Sequence, residues 1–282
     1  MFSLLVAVAA IPSILACPQH ELAARGQSLN KRAEGAQDWA YEASYNWGMI
    51  NENYTLCQTG TQQSPIPLMI TQGLSTTHVP IFDSASYSNI SGALSNWGYG
   101  PAFTPLTTNS STFTRAPAMK YDNTTLYFKG LHIHSPADHT VQGDRSKAEL
   151  HLVHADAEGN NRGVIAIRID PGNADSLFFS QMLGETANST VEPTKNPIPS
   201  FHSKETIPLN LDVLEAIREA NMLNDFWTYD GSLTSPPCTE GIRFWVARNT
   251  MYVSVQQMQA ILAVSTFSSR AEQEVWQHGI NK

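Results

Sequence analysis

The clearest hydrophobic–polar pattern in the chain is an alternation of period two over two short runs, Leu131-His132-Ile133-His134 and Glu149-Leu150-His151-Leu152-Val153-His154. Successive side chains of an extended strand point to opposite faces. His132 and His134 therefore share one face, and Leu131 and Ile133 take the side where a core would lie. In the second run Glu149, His151 and Val153 share a face, while Leu150, Leu152 and His154 take the other. If the runs pair as neighbouring strands, about 4.8 Å apart, three imidazoles converge on one point.

Around these runs, residues 79–129 alternate strand-like pieces (79–82, 103–106, 126–128) with Gly, Asn and Ser turns. A turn at 156–161 precedes a mostly buried strand over 163–169. Gln63-Ser64-Pro65-Ile66-Pro67 predicts an edge strand or an extended entry, because proline cannot donate to a ladder. Residues 38–62, aromatic and polar without periodicity, predict an irregular N-terminal arm. Helical spacing occurs over 173–184, over 210–220 (Leu211, Leu214, Ile217), and after a capping box beginning at Ser254. No repeat or linker divides the chain, so the pattern predicts one mainly β domain with peripheral short helices.

Composition narrows the class. Hydrophobic residues at 41% suffice for a substantial core, and a net charge of −8 without a basic stripe argues against nucleic acid as the main partner. Residues 1–16 predict a signal peptide, and residues 17–32, ending in Lys31-Arg32, a propeptide, which leaves 33–282 as the single folded domain. No second apolar stretch of spanning length follows, so no membrane anchor is expected. Sequons at Asn53, Asn89, Asn109, Asn123 and Asn188 agree with a secreted glycoprotein. With Cys17 removed, Cys57 and Cys238 remain, and two cysteines in an oxidising compartment predict a disulfide; two unrelated thiols are the alternative. Oligomeric state leaves no sequence signal.

Three neutral imidazoles suit Zn²⁺ and leave its fourth position open for water, whose pKa the ion can lower. Glu149 is placed to hold the second ring nitrogen of a ligand histidine. His154, on the opposite face from His151, reads as a packing histidine. His139, beside Asp138, reads as a hydrogen-bonded structural residue. His20 leaves with the propeptide, and His78, His202 and His278, without motif context, read as surface residues.

The segments His132-Ile133-His134, Asp138-His139-Thr140-Val141 and Ala148-Glu149-Leu150-His151-Leu152-Val153-His154 resemble the zinc-site signature of the α-class carbonic anhydrases. Gln63-Ser64-Pro65-Ile66 and the run from Trp227 through Gly231-Ser232-Leu233-Thr234-Ser235-Pro236-Pro237-Cys238 match further blocks in family order. The resemblance implies a large, twisted, mostly antiparallel central sheet. It implies that His132, His134 and His151 hold zinc, with Glu149, His139 and Tyr229 supporting them. Thr234 would orient a zinc-bound hydroxide and donate its own proton to Asp138. Val153, Val164, Leu233, Ser235 and Phe244 would form the carbon dioxide pocket. The disulfide of secreted members would correspond to Cys57–Cys238 and clamp the Thr234 loop to the N-terminal arm. The implied activity is reversible hydration of carbon dioxide to bicarbonate and a proton; the competing reading is a secreted carbonic-anhydrase-like binding or adhesion protein with little hydratase activity.

Five departures stand out. Asp138 replaces a glutamate, Gly130 a glutamine beside the first ligand, and Phe244 a tryptophan. Tyr99 stands where fast members carry a histidine, and a phenol with a pKa near about 10 is a poor proton carrier at neutral pH. The family's C-terminal motif is not recognisable in residues 268–282.

Overall fold

Eleven strands form a single large mixed sheet, in a computed structural model that describes residues 38–106, 113–184, 197–200 and 203–282. They are β1 (Ile81–Phe82), β2 (Ile90–Asn96), β3 (Pro101–Pro105), β4 (Ala118–Tyr121), β5 (Thr124–His134), β6 (Ala148–Ala155), β7 (Asn161–Gly172), β8 (Ile207–Leu211), β9 (Phe226–Ser232), β10 (Glu240–Ala247) and β11 (Met251–Ser254). The main order is β8-β2-β3-β5-β6-β7-β10-β9; β4 also pairs with β5 and β1, and β11 with β7. β7 runs parallel to β10 and β11, and every other pairing is antiparallel. The two histidine runs lie in β5 and β6, in the middle of the sheet, with His132 directly opposite His151.

Alternation along these central strands separates two environments. Leu131, Ile133, Leu150, Leu152, Ile165 and Ile167 face the main core. Helices Leu177–Met182, Val213–Glu219 and Val255–Ala263 cover that face. Burying each large aliphatic side chain contributes about 1.5–3 kcal/mol, so a one-residue slip of β6 would expose the whole set and bury its polar face. The opposite face carries the histidines and a smaller cluster including Val164, Tyr229 and Phe244.

Local expectations met tertiary competition in several places. The helix predicted over 210–220 starts at Val213, because Asn210 and Leu211 finish β8 against Ser91 and Ile90 of β2. Asp212 is its cap, accepting from the Glu215 N–H at 3.2 Å. The helix predicted over 173–184 is confined to Leu177–Met182 and capped by Ser176. Residues 63–67 form no edge strand: they run buried to Leu68, whose isolated bridge to Val141 is their nearest pairing. The capping box at Ser254 is present. The arm consists of short helical turns that bury Tyr41, Trp47 and Cys57.

His154 packs on the core face, with Nε2 2.8 Å from the Tyr87 hydroxyl. His278 is not a surface residue but is fully buried, with Nε2 2.8 Å from the Gln63 carbonyl. It lies in an irregular C-terminal stretch whose burial no periodicity could announce. His78 is half-buried and pairs with Asp122. The predicted signal peptide and propeptide, His20, His202, Asn109 and Asn188 lie outside the described residues; Asn53, Asn89 and Asn123 are exposed. Among the described residues, no helix is long and apolar enough to cross a membrane.

Two predictions follow from this packing. Burial lowers the His154 pKa to about 4, against about 6.5 when unfolded. Its stabilising contribution is therefore complete above pH about 6.5 and is lost as pH falls towards about 4, a change of about 3 kcal/mol. Urea unfolding across that range should show a shallower pH dependence in His154→Gln than in the parent; equal slopes would contradict the assignment. The Cys57–Cys238 bridge spans a sequence separation of 181, worth up to about 5 kcal/mol through the entropy of the unfolded chain. The paired substitution Cys57→Ser, Cys238→Ser should lower the unfolding free energy by several kcal/mol, and a loss below about 1 kcal/mol would show that the bridge does little.

Candidate metal centre

The pairing of β5 with β6 brings three imidazoles to one place on the sheet. Ring centroids lie 4.9 Å apart for His132 and His134, 5.3 Å for His132 and His151, and 4.6 Å for His134 and His151. One ring nitrogen from each falls within 4.8 Å of the others. The protein occupies the outward nitrogen of two of them. His134 Nδ1 lies 2.6 Å from the Ser268 carbonyl, and His151 Nε2 lies 2.7 Å from Glu149 Oε1. Each bond uses the ring N–H, which leaves the lone pair of His134 Nε2 and of His151 Nδ1 for the centre.

His132 Nε2 and His134 Nε2 are 3.0 Å apart. Two ligands at a Zn–N length of about 2.05 Å on a tetrahedral ion would sit about 3.3 Å apart. Burial, followed by repulsion from His134 and His151, pushes the His132 pKa well below its usual value; burial also lowers that of His134, against the pull of Asp138. Converging nitrogen donors, two of them oriented by their outer hydrogen bonds, fit a divalent transition metal.

Behind the triad lies a chain of buried polar groups. Glu149 is fully buried. Its Oε1 also lies 2.6 Å from His139 Nδ1, and its Oε2 accepts from the His139 backbone N–H at 2.9 Å. His139 Nε2 is 2.7 Å from the Tyr229 hydroxyl, which lies 3.0 Å from Ser64 Oγ. Burial alone would raise the Glu149 pKa, but the charge and hydrogen bonds of His139, then those of His151, hold it well below the usual carboxylate range. Burial pushes the Tyr229 phenol well above its usual value.

Thr234 is buried on the loop after β9. The loop is tied by Leu233 N–H to Thr239 O at 3.0 Å, Cys238 N–H to Ser235 O at 2.9 Å, and the disulfide. Asp138 Oδ1 accepts from the Arg270 N–H at 2.8 Å, whereas buried Oδ2 has no hydrogen-bond partner among the described residues. The expected bond from the Thr234 hydroxyl to Asp138 is therefore not made. Held through its other oxygen, the carboxylate has Oδ2 3.6 Å from His134 Nε2, too far for a hydrogen bond.

A cavity of about 360 Å³ opens over the triad. Val153, Val164, Leu233 and Phe244 supply its apolar wall, Thr234 and Ser235 border it, and Thr104, Lys129 and Asn161 give it a polar side. Tyr41 and Trp97 also line it, although the sequence showed them only as aromatics of an irregular arm and a turn. Trp97 donates from Nε1 to the Ile133 carbonyl at 3.1 Å, which holds its ring 5.1 Å from His132 and 5.2 Å from His134. Tyr99 is absent from the lining: it packs against Tyr41 at 5.0 Å, Trp97 at 4.9 Å and Trp39 at 6.0 Å. Ser268 and Arg270 were missed entirely, because a lone arginine in a polar tail carries no pattern. The Arg270 guanidinium is buried and donates to the Ser64 and Cys57 carbonyls at 2.7 and 3.0 Å.

Known proteins share the sequence pattern and the fold. The profile of the eukaryotic-type carbonic anhydrases matches residues 42–279. The chain is 30% identical over 215 residues to alpha carbonic anhydrase 4 of Arabidopsis thaliana, covering 76% of this chain and 71% of that protein. A carbonic anhydrase of Klebsiella pneumoniae is 29% identical over 226 residues, 79% of this chain and 81% of that one. The fold also matches the solved fungal alpha carbonic anhydrase of Aspergillus oryzae, with a TM-score of 0.68 at 21% identity over 86% of this chain and 94% of that one. The central sheet and the matched length agree, and the chain belongs to the eukaryotic-type carbonic anhydrase family, enzymes whose general activity is the hydration of carbon dioxide.

Proposed function

We propose that this chain is an active zinc-dependent carbonic anhydrase, secreted as a disulfide-bonded glycoprotein. The observation that carries the reading is the convergence of three imidazole nitrogens within 4.8 Å, directly beneath an apolar-walled cavity. His132, His134 and His151 would hold the ion. When bound, Zn²⁺ supplies a Lewis acid that makes hydroxide available near neutral pH.

The chain's own residues do the rest. Glu149 fixes the ring orientation of His151 and places a negative charge behind it, which raises the ligand's basicity. His139 and Tyr229 keep that carboxylate in place. Val153, Val164, Leu233 and Phe244 offer a nonpolar surface to carbon dioxide, which has no charge to grip and little need of polar contacts. Thr234, bordering the cavity, supplies a hydroxyl and a backbone N–H on the reacting side. In this reading Asp138, with one oxygen unpartnered, is the acceptor that the Thr234 hydroxyl turns towards once the site is loaded. Trp97 and Tyr41 keep bulk water away from the triad.

Residues 1–16 act as the signal peptide and 17–32 as the propeptide of a catalytic domain at 33–282. Support comes from the apolar run, the dibasic pair and the exposure of Asn53, Asn89 and Asn123.

Metal analysis of the secreted protein should find one zinc per chain, and stopped-flow assay should find carbon dioxide hydration. His151→Ala should lose the zinc and at least about a hundredfold of the activity, exceeding the cost of losing a supporting residue alone. Stoichiometric zinc with no hydration above that variant would favour the binding-protein reading. With Tyr99 enclosed by aromatic rings and no histidine in its place, turnover should be low in weak buffer and rise with added imidazole. A high turnover indifferent to imidazole would show that protons leave by another path.

A further inference from the structure

The polar side of the cavity is built around one charge. Lys129 is the only formally charged side chain, imidazoles aside, among the described residues that line the cavity, and no carboxylate joins it there. Its Nζ donates to the Gly159 carbonyl at 2.9 Å and to Asn161 Oδ1 at 2.8 Å. It also stands 5.9 Å from the centre of the buried Phe113 ring. An ammonium has three N–H donors, so two fix its position and a third is available to a ligand.

The backbone is shaped to put it there. Phe128, Leu131 and Ile133 all face the core, so the alternation of β5 slips by one residue across Lys129-Gly130. The register with β6 shows the same irregularity between Phe128 and Gly130. Without that bulge Lys129 would share the core face with Leu131; bulges re-aim side chains in this way beside active sites. Gly130 permits it: its φ is +152°, and a Cβ there would lie 2.8 Å from the Phe103 carbonyl of β3.

We infer that Lys129, positioned by Gly159 and Asn161, is an anion subsite on the cavity wall that takes bicarbonate. This rests on the proposed activity and deepens it. The reaction interconverts a neutral molecule and a monoanion, and the cavity has an apolar wall for one and a fixed ammonium for the other. The chain as a whole carries −8 and repels anions at long range, so a lysine on a cavity wall lined by no carboxylate adds to the attraction of a loaded triad and biases where bicarbonate sits.

The test uses the purified secreted protein with lysine ¹³C-labelled at Cε, titrated with sodium bicarbonate against sodium chloride of equal ionic strength. The signal that disappears in Lys129→Met identifies Lys129. It should shift saturably with bicarbonate and less with chloride. In the hydration assay, the bicarbonate concentration that halves the rate should rise roughly threefold in Lys129→Met, the range for a half-solvated charge pair, and stay near the parent value in Lys129→Arg. Absence of a saturable shift, or equal bicarbonate inhibition in the Met variant and the parent, would overturn the subsite. The resonance titration reads Lys129 whether or not the protein hydrates carbon dioxide. A failure of the activity and a failure of the subsite are thus told apart.

Discussion

A carboxylate cut off from water, Glu149, is the constraint around which the centre of this structure is built. A buried charge without partners costs several kcal/mol. Three hydrogen bonds, two from His139 and one from His151, meet that cost. Each has a structural consequence. The bond from His151 sets which of its nitrogens faces the cavity. The bonds from His139 pin the loop between β5 and β6, and through the Tyr229 hydroxyl reach Ser64 at the entry to the sheet. Removing the carboxylate would free the ligand and leave two imidazoles without their acceptor.

The sheet itself is a partition. Its core face needs only large aliphatic side chains in phase, and its other face is free to carry polar chemistry because irregular segments close over it. Those segments come from far apart in the chain: the arm at 41–59, the loop at 233–239 and the tail around Ser268–Arg270. They are held by directional bonds rather than by periodic burial. Arg270 links Ser64, Cys57 and Asp138, and the disulfide joins the arm to the Thr234 loop. These contacts are long-range in sequence, so they form only once the sheet exists.

Two of the departures expected from the resemblance differ in kind. Asp138 keeps one oxygen on the Arg270 N–H and leaves the other without a hydrogen-bond partner among the described residues. At Gly130 no side chain stands beside His132, and the bulge next to it accompanies Lys129 at the cavity wall.

The sequence by itself determined the triad, the face it occupies and the mainly β class, because strand alternation is a local property that needs no partner to be read. The capping box at Ser254 and the turn at 156–161 were legible for the same reason. Tertiary structure alone decided that Asn210 and Leu211 belong to a strand, since pairing with β2 offers more than one extra helical turn. It alone brought Tyr41, Trp97, Ser268 and Arg270 to the site and buried His278. It alone placed Tyr99 behind the cavity wall and turned Lys129 towards the cavity. Each of these depends on which distant segment fills a space or completes a hydrogen bond, and no periodicity along the chain encodes that.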